Sequence, residues 1–224
     1  MTIDTINPAN GELIKSYNEM SSDKVSKIID LTNDAYKSWS KTDFQHRKSL
    51  MLKAAEVLSI NKVEYASLIT REMGKPITQS LAEIDKCIWC CEHYAKNAAD
   101  YLQDKAITID SQKSYVTYQP LGAVFAIMPW NFPFWQVFRF ACPTLMAGNA
   151  GLLSHAPIST GTGQAIEEIF IKAGFPNNLF KSLVISNDVA AEVISNKKVI
   201  AVTLTGSEGA GSIVGSHAAK NLKK

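Results

Sequence analysis

Phe125-Ala-Ile-Met-Pro-Trp-Asn-Phe-Pro133 decides how this chain is read. From Gly122 to Met128 the residues are almost continuously apolar, the pattern of a strand covered on both faces in a buried sheet. The run stops at a turn holding Pro129 and Pro133, which fix the backbone and remove two donors, so the turn is stiff. Inside it Asn131 is the only polar side chain. Its NH2 can donate two hydrogen bonds to an oxygen that gains negative charge. A rigid amide donor just past a strand is what an acyl-transfer or aldehyde-oxidising site needs. An apolar loop in which Asn131 caps its own backbone would use the same residues.

Beyond this turn, strands and helices alternate. Phe134 to Leu145 reads as helix and Ala150 to Ser154 as strand. Thr160 to Ala173 is a helix closed by Gly174 and Pro176. Leu179 to Ile185 and Val199 to Thr205 are strands, with a short helix at Val189 to Ile194 between them. The alternation predicts an α/β fold built on a parallel, doubly wound sheet.

Before the turn the character differs. Thr5 to Ile14 predicts two short strands around Pro8, Asn10 and Gly11. A helix starts near Asp23, with Val25, Ile28, Ile29, Ala35, Tyr36 and Trp39 on one face. The next opens at Thr42, where Gln45 completes a capping box. A third runs from about Val63 to the Gly74-Lys-Pro76 stop, and a long helix follows to about Tyr101. Lys113 to Gln119 alternates and predicts a strand.

Composition narrows the function classes. Hydrophobic residues make up 46% and charged residues 20%, as in ordinary globular proteins, and the net charge of +2 is spread along the chain. Nothing here argues for nucleic acid. Lys220, Lys223 and Lys224 form the only basic cluster, read as a solvated helix end. No long apolar run and no signal-peptide plan are present, so no membrane partner and a cytoplasmic location are expected. Cys87, Cys90, Cys91 and Cys142 are too few and too clustered for a disulfide framework. The C-x-x-C spacing within them lies in a helical stretch with no second pair, so packing is expected and no metal.

A second chemical signal follows the last strand, in Gly206-Ser-Glu-Gly-Ala-Gly211-Ser-Ile-Val-Gly215. Strand, glycine-rich turn and helix start present backbone N–H groups to a phosphate. Gly209, Gly211 and Gly215 miss the G-x-G-x-x-G spacing by one residue, and a plain flexible turn competes with that reading.

Together these pieces resemble the aldehyde dehydrogenase superfamily from about Thr5 to the last residue. The matching segments are Asn7-Pro-Ala-Asn-Gly-Glu12, Glu72-Met-Gly-Lys-Pro76, Pro120-Leu-Gly122, Pro129-Trp-Asn-Phe-Pro133, Ala147-Gly-Asn149, Ala173-Gly-Phe-Pro176 and Leu204-Thr-Gly-Ser207. Cys87-Ile-Trp-Cys-Cys91 and His155-Ala-Pro157 are most similar to the succinate-semialdehyde dehydrogenase branch. The resemblance implies oxidation of an aldehyde to its acid with NAD or NADP, through attack by a cysteine thiolate. Asn131 would hold the resulting oxyanion with a backbone N–H. Phe132 and Arg139 would face the substrate, Arg139 clamping a distant carboxylate unless it serves a structural ion pair. Met128, Pro129, Trp130, Ser154, Gly206, Ser207 and Gly211 would contact the cofactor.

The resemblance also implies a domain plan. Residues 1–110 would be the hairpin and helices of the cofactor domain and 111–121 a β-arm like the family's oligomerisation strand. Residues 122–224 would form a Rossmann-like core. Family members are homo-oligomers.

Two departures qualify the match. Ser154 stands where the family has a lysine that bonds the adenosine ribose, and Pro157 where many NAD-preferring members have a glutamate. The family's Glu-Leu-Gly-Gly segment with its general base, and its nucleophilic cysteine, belong after the position of Lys224. No cysteine follows Cys142, which is assigned to packing. The expectation is the N-terminal part of an aldehyde dehydrogenase, truncated before the catalytic domain and inactive unless a separately encoded half completes it. A non-catalytic dinucleotide- or partner-binding half-protein is the alternative. A stand-alone enzyme using Cys142 would need a base, and no motif ties His93, His155 or His217 to it.

Overall fold

The computed structural model describes residues 1–108 and 114–224. At the N-terminus β1 (Thr2–Ile6) and β2 (Leu13–Asn18) pair antiparallel around a turn in which Gly11 has φ 75°. Four helices follow: α1 (Ser22–Trp39), α2 (Phe44–Ile60), α3 (Lys62–Met73) and α4 (Ile77–Tyr101). The start of α2 differs from the expected capping box. Thr42 is still engaged by the end of α1, its N–H and hydroxyl both donating to Trp39 O. Asp43 therefore caps, its carboxylate accepting the His46 N–H at 2.7 Å, a charge that also suits the helix dipole. Gly74 closes α3 in the left-handed region at φ 76°, and a Cβ there would meet Pro8 Cγ at 3.1 Å. The third helix and the hairpin turn need that glycine for each other.

The strand expected at Lys113 to Gln119 starts outside the described residues. Among the described residues it is a two-residue pairing, β3 (Lys105–Ala106) with β4 (Tyr115–Val116). The main sheet then forms from β5 (Ala123–Met128), β6 (Ala150–His155), β7 (Phe180–Ser182) and β8 (Val199–Leu204), all parallel, in the order β7-β6-β5-β8. Helices α5 (Trp135–Met146), α6 (Thr160–Lys172), α7 (Asn187–Ser195) and α8 (Glu208–Lys220) alternate with them. β7 is shorter than the predicted Leu179 to Ile185. Met20 donates its N–H to Val184 O, so the chain entering α1 claims what a longer strand would have used.

Alternate side chains of each strand enter different layers. Phe125 and Leu152 pack with Val25, Ile29, Val193 and Val199 under α1 and α7. Ala126 and Leu153 pack on the other face with Met51, Ile84, Phe138 and Phe170 from α2, α4, α5 and α6. Both faces are covered, which is why the strands read as continuous apolar runs. The chain winds outward from β5 to β7 and returns to the far side of β5 as β8. The crevice beyond the carboxyl ends of β5 and β8 is thus the topological switch point, where open α/β sheets bind ligands. No helix among the described residues is long and apolar enough to cross a membrane.

Candidate functional site

At the switch point the strand exits are tied together. Ile127 O accepts the Thr205 N–H at 3.1 Å, and Met128 O accepts the Ala156 N–H at 3.0 Å. The chain leaving β5 therefore turns at Pro129. Met128 is buried, Trp130 and Phe132 are half-exposed, and Asn131 faces solvent. Asn131 Oδ1 accepts the Phe132 N–H at 3.0 Å. Only the oxygen of the amide can meet a backbone N–H, so its orientation is fixed and the NH2 is the outward end. The backbone cap and the outward donor are properties of one side chain.

Three charged or titratable groups that the sequence reading left without a role hold this turn. Glu83 of α4 is buried, and its Oε1 accepts the N–H groups of Phe134 at 2.8 Å and Trp135 at 3.0 Å. Its Oε2 pairs with buried Lys75 Nζ, which sits 3.8 Å from the centroid of the Phe132 ring. From the other side His155 Nε2 lies 2.9 Å from Pro133 O. A carbonyl only accepts, so Nε2 carries the proton and the enclosed Nδ1 is bare, with no partner among the described residues. Burial outweighs the Pro133 bond and brings the His155 pKa down to about 4. The signal for Glu83 was available: Ser80, Glu83, Ile84, Cys87 and Cys91 form one buried stripe of α4, and a carboxylate on such a stripe must have partners.

At the carboxyl ends of β5, β6 and β8 a cavity of about 210 Å³ opens between α7 and α8. Ile127, Leu204, Ile194 and Val214 give it apolar walls, and Ser154, Asn187 and His217 are polar groups on its lining. Ser207 starts α8 by accepting the Ala210 N–H at 3.2 Å. Among the described residues nothing claims the N–H groups of Glu208 and Gly209, and the helix dipole adds to them. The glycine-rich segment is accordingly a helix start rather than a loop. Gly209, Gly211 and Gly215 lie within α8, none at positive φ, and the Gly211 N–H is spent on Ser207 O at 2.9 Å. Gly206 alone stays in the turn. An apolar slot beside an open helix N-terminus fits the ring and diphosphate of a dinucleotide. Ser154 gives the lining of this slot a hydroxyl and no cation.

Arg139 is exposed on α5 and donates from Nη2 to Thr205 Oγ1 at 3.3 Å. No ion pair among the described residues includes it, so its guanidinium keeps donors for an anion at the mouth of the crevice. The four cysteines are free and buried. Cys91 Sγ lies 3.6 Å from Cys142 Sγ, joining α4 to α5, and burial pushes the Cys87 and Cys142 thiols well up. Such thiols pack and do not attack. Among the described residues no cluster suits a metal ion.

Comparison with known proteins identifies the family. The profile of the aldehyde dehydrogenase family matches residues 1–224. A probable NADP(+)-dependent succinate-semialdehyde dehydrogenase of Synechocystis is 46% identical over 224 residues, covering 100% of this chain and 49% of that protein. The succinate semialdehyde dehydrogenase Sad of Escherichia coli, NAD(P)+-dependent, is 37% identical over 98% of this chain and 48% of its own. Among solved structures, succinic semialdehyde dehydrogenase from Streptococcus pyogenes with NADP+ superposes at TM-score 0.96 and 33% identity, over 99% of this chain and 49% of that one. The chain spans about half the length of the curated relatives it matches.

Proposed function

This chain belongs to the aldehyde dehydrogenase family, and on that footing we propose that it supplies the dinucleotide crevice and the oxyanion-holding amide for oxidising an aldehyde to its acid. Succinate semialdehyde is the substrate that the named relatives favour, and NADP or NAD the cofactor. The observation that carries the reading is the exposed Asn131 amide in the turn that follows β5 at the switch point, its oxygen held by the Phe132 N–H so that its NH2 is the free end.

The dinucleotide, when bound, supplies the hydride acceptor. The chain's own residues do the rest of this half of the work. Ile127, Leu204, Ile194 and Val214 would flank the adenine, while the Glu208 and Gly209 N–H groups and the Ser207 hydroxyl would face the diphosphate. Asn131 would donate to the aldehyde oxygen as it becomes negative, a donor worth roughly two to three orders of magnitude in rate. Arg139 would take the distant carboxylate. The nucleophile must come from elsewhere, because every cysteine of the chain is buried. We therefore propose that the 224-residue chain binds but does not turn over, and that a catalytic half completes it. Free cysteines also suit a reducing, cytoplasmic setting.

Titration calorimetry of the chain with NADP+ and with NAD+ tests this. Saturable one-to-one heat with at least one of them is expected. Ser154→Lys should tighten that binding roughly tenfold, since a charge-assisted hydrogen bond contributes about 1.5–3 kcal/mol. Absence of heat with both dinucleotides, in parent and variant alike, would contradict the reading.

A further inference from the structure

The N-terminus of α5 is capped from a distance. The usual device is a Ser, Thr, Asp or Asn at the cap position itself. That position is Phe134, whose ring is fully buried in the core, and the acceptor comes instead from Glu83, 51 residues earlier on α4. Burying a carboxylate is costly unless it is paired and fully bonded. Here Lys75 pairs with it, the N–H groups of Phe134 and Trp135 take its other oxygen, and the same ammonium lies over the Phe132 ring. A local cap would satisfy one helix end and leave the turn free to shift with it. The remote cap pins residues 132, 134 and 135 to the body of α4, and Asn131 is bonded to the backbone of Phe132.

We propose that Glu83, neutralised by Lys75, is the positioning residue of the oxyanion turn: it acts through the Phe134 and Trp135 N–H groups to set the direction of the Asn131 amide. The inference rests on the reading of Asn131 as the oxyanion donor. Its weight follows from geometry, since a donor displaced by about 1 Å can cost roughly a hundredfold in rate. Glu72 provides the comparison. It too is a buried glutamate, accepting the Gly161 and Thr162 N–H groups at the start of α6, and it makes no bond to the turn.

The test is the side-chain amide signal of Asn131 in the asparagine-15N-labelled 224-residue chain, assigned by its loss in Asn131→Asp. A fixed amide gives a proton pair displaced from the shifts of a free asparagine side chain and a strong 15N–1H NOE, and a swinging one gives the free-asparagine shifts and a weak NOE. Two double variants isolate the acceptor. Glu83→Gln with Lys75→Met keeps an oxygen for the two N–H groups without charge, and should leave the Asn131 pair where it is. Glu83→Leu with Lys75→Met fills the same space without an acceptor, and should move the Asn131 pair to free-asparagine shifts with a weak NOE while the rest of the spectrum stays folded. Glu72→Gln should leave the Asn131 pair unmoved. An unmoved pair in the folded Leu/Met chain overturns the proposal. So does the same move to free-asparagine values in the Gln/Met chain, or wholesale unfolding of the Leu/Met chain, which would make Glu83 a fold residue only. The signal is read without dinucleotide, so a chain that fails to bind NADP+ would sink the proposed function and leave this result standing.

Discussion

At the scale of single residues, the proposed site consists of one exposed amide and the buried groups behind it. Asn131 was legible because a turn of prolines and aromatics contains one amide and nothing else polar. Glu83 was legible only as a carboxylate on a buried stripe, since the N–H groups it accepts lie 51 and 52 residues away, and no pattern named Lys75 as its partner. His155 gives this layer a pH dependence. Its folded pKa of about 4 lies below the ordinary value of 6.5, so between these the unfolded chain binds the proton first. The stability it contributes is complete above pH 6.5 and is lost as pH falls toward 4. His155→Gln keeps an N–H for Pro133 O and removes the titration. Thermal melts from pH 7.5 to 4 should therefore fall more steeply for the parent than for this variant, and parallel curves would show that His155 is not held neutral.

At the scale of elements, helices and strands followed their apolar periods, and two departures came from competition for backbone groups. Asp43 caps α2 because α1 already uses Thr42, and β7 ends early because Met20 takes Val184 O. The segment after β8 reads as a glycine-rich turn and a helix start, with a plain flexible turn competing; Ser207 provides a cap, so the chain goes straight into α8. Gly215 then sits in an exposed helical position where a Cβ would meet nothing within 4 Å. Gly215→Ala should raise stability by about 0.5–1 kcal/mol in urea unfolding, the usual helix preference for alanine. A loss of that size would show that the segment is not helical there. The glycine earlier in the chain at position 161 is of another kind: a Cβ would meet Glu72 Oε1 at 2.5 Å, so it serves close packing.

At the scale of the whole molecule, alternation of strand and helix was enough to predict a doubly wound parallel sheet, because both faces must be covered when crossovers are helical. The order β7-β6-β5-β8 was not readable, since which side of β5 the last strand joins depends on contacts between distant segments. That order matters most, for it places Asn131, Ser154 and Ser207 around one crevice from three separate strand ends. A larger polar cavity, about 410 Å³, lies by Arg47 and Asn149 near the opposite ends of the strands, and the account gives it no part in binding dinucleotide. The most direct measurement is a titration of the uniformly 15N-labelled chain with NADP+, followed by backbone amide shifts. Changes are expected to concentrate at Ile127, Ser154, Leu204, Glu208 to Ala210 and Val214, extending to Trp130 and Asn131 in the turn. Saturable changes around Arg47 and Asn149 with the crevice silent, or no changes anywhere, would contradict it.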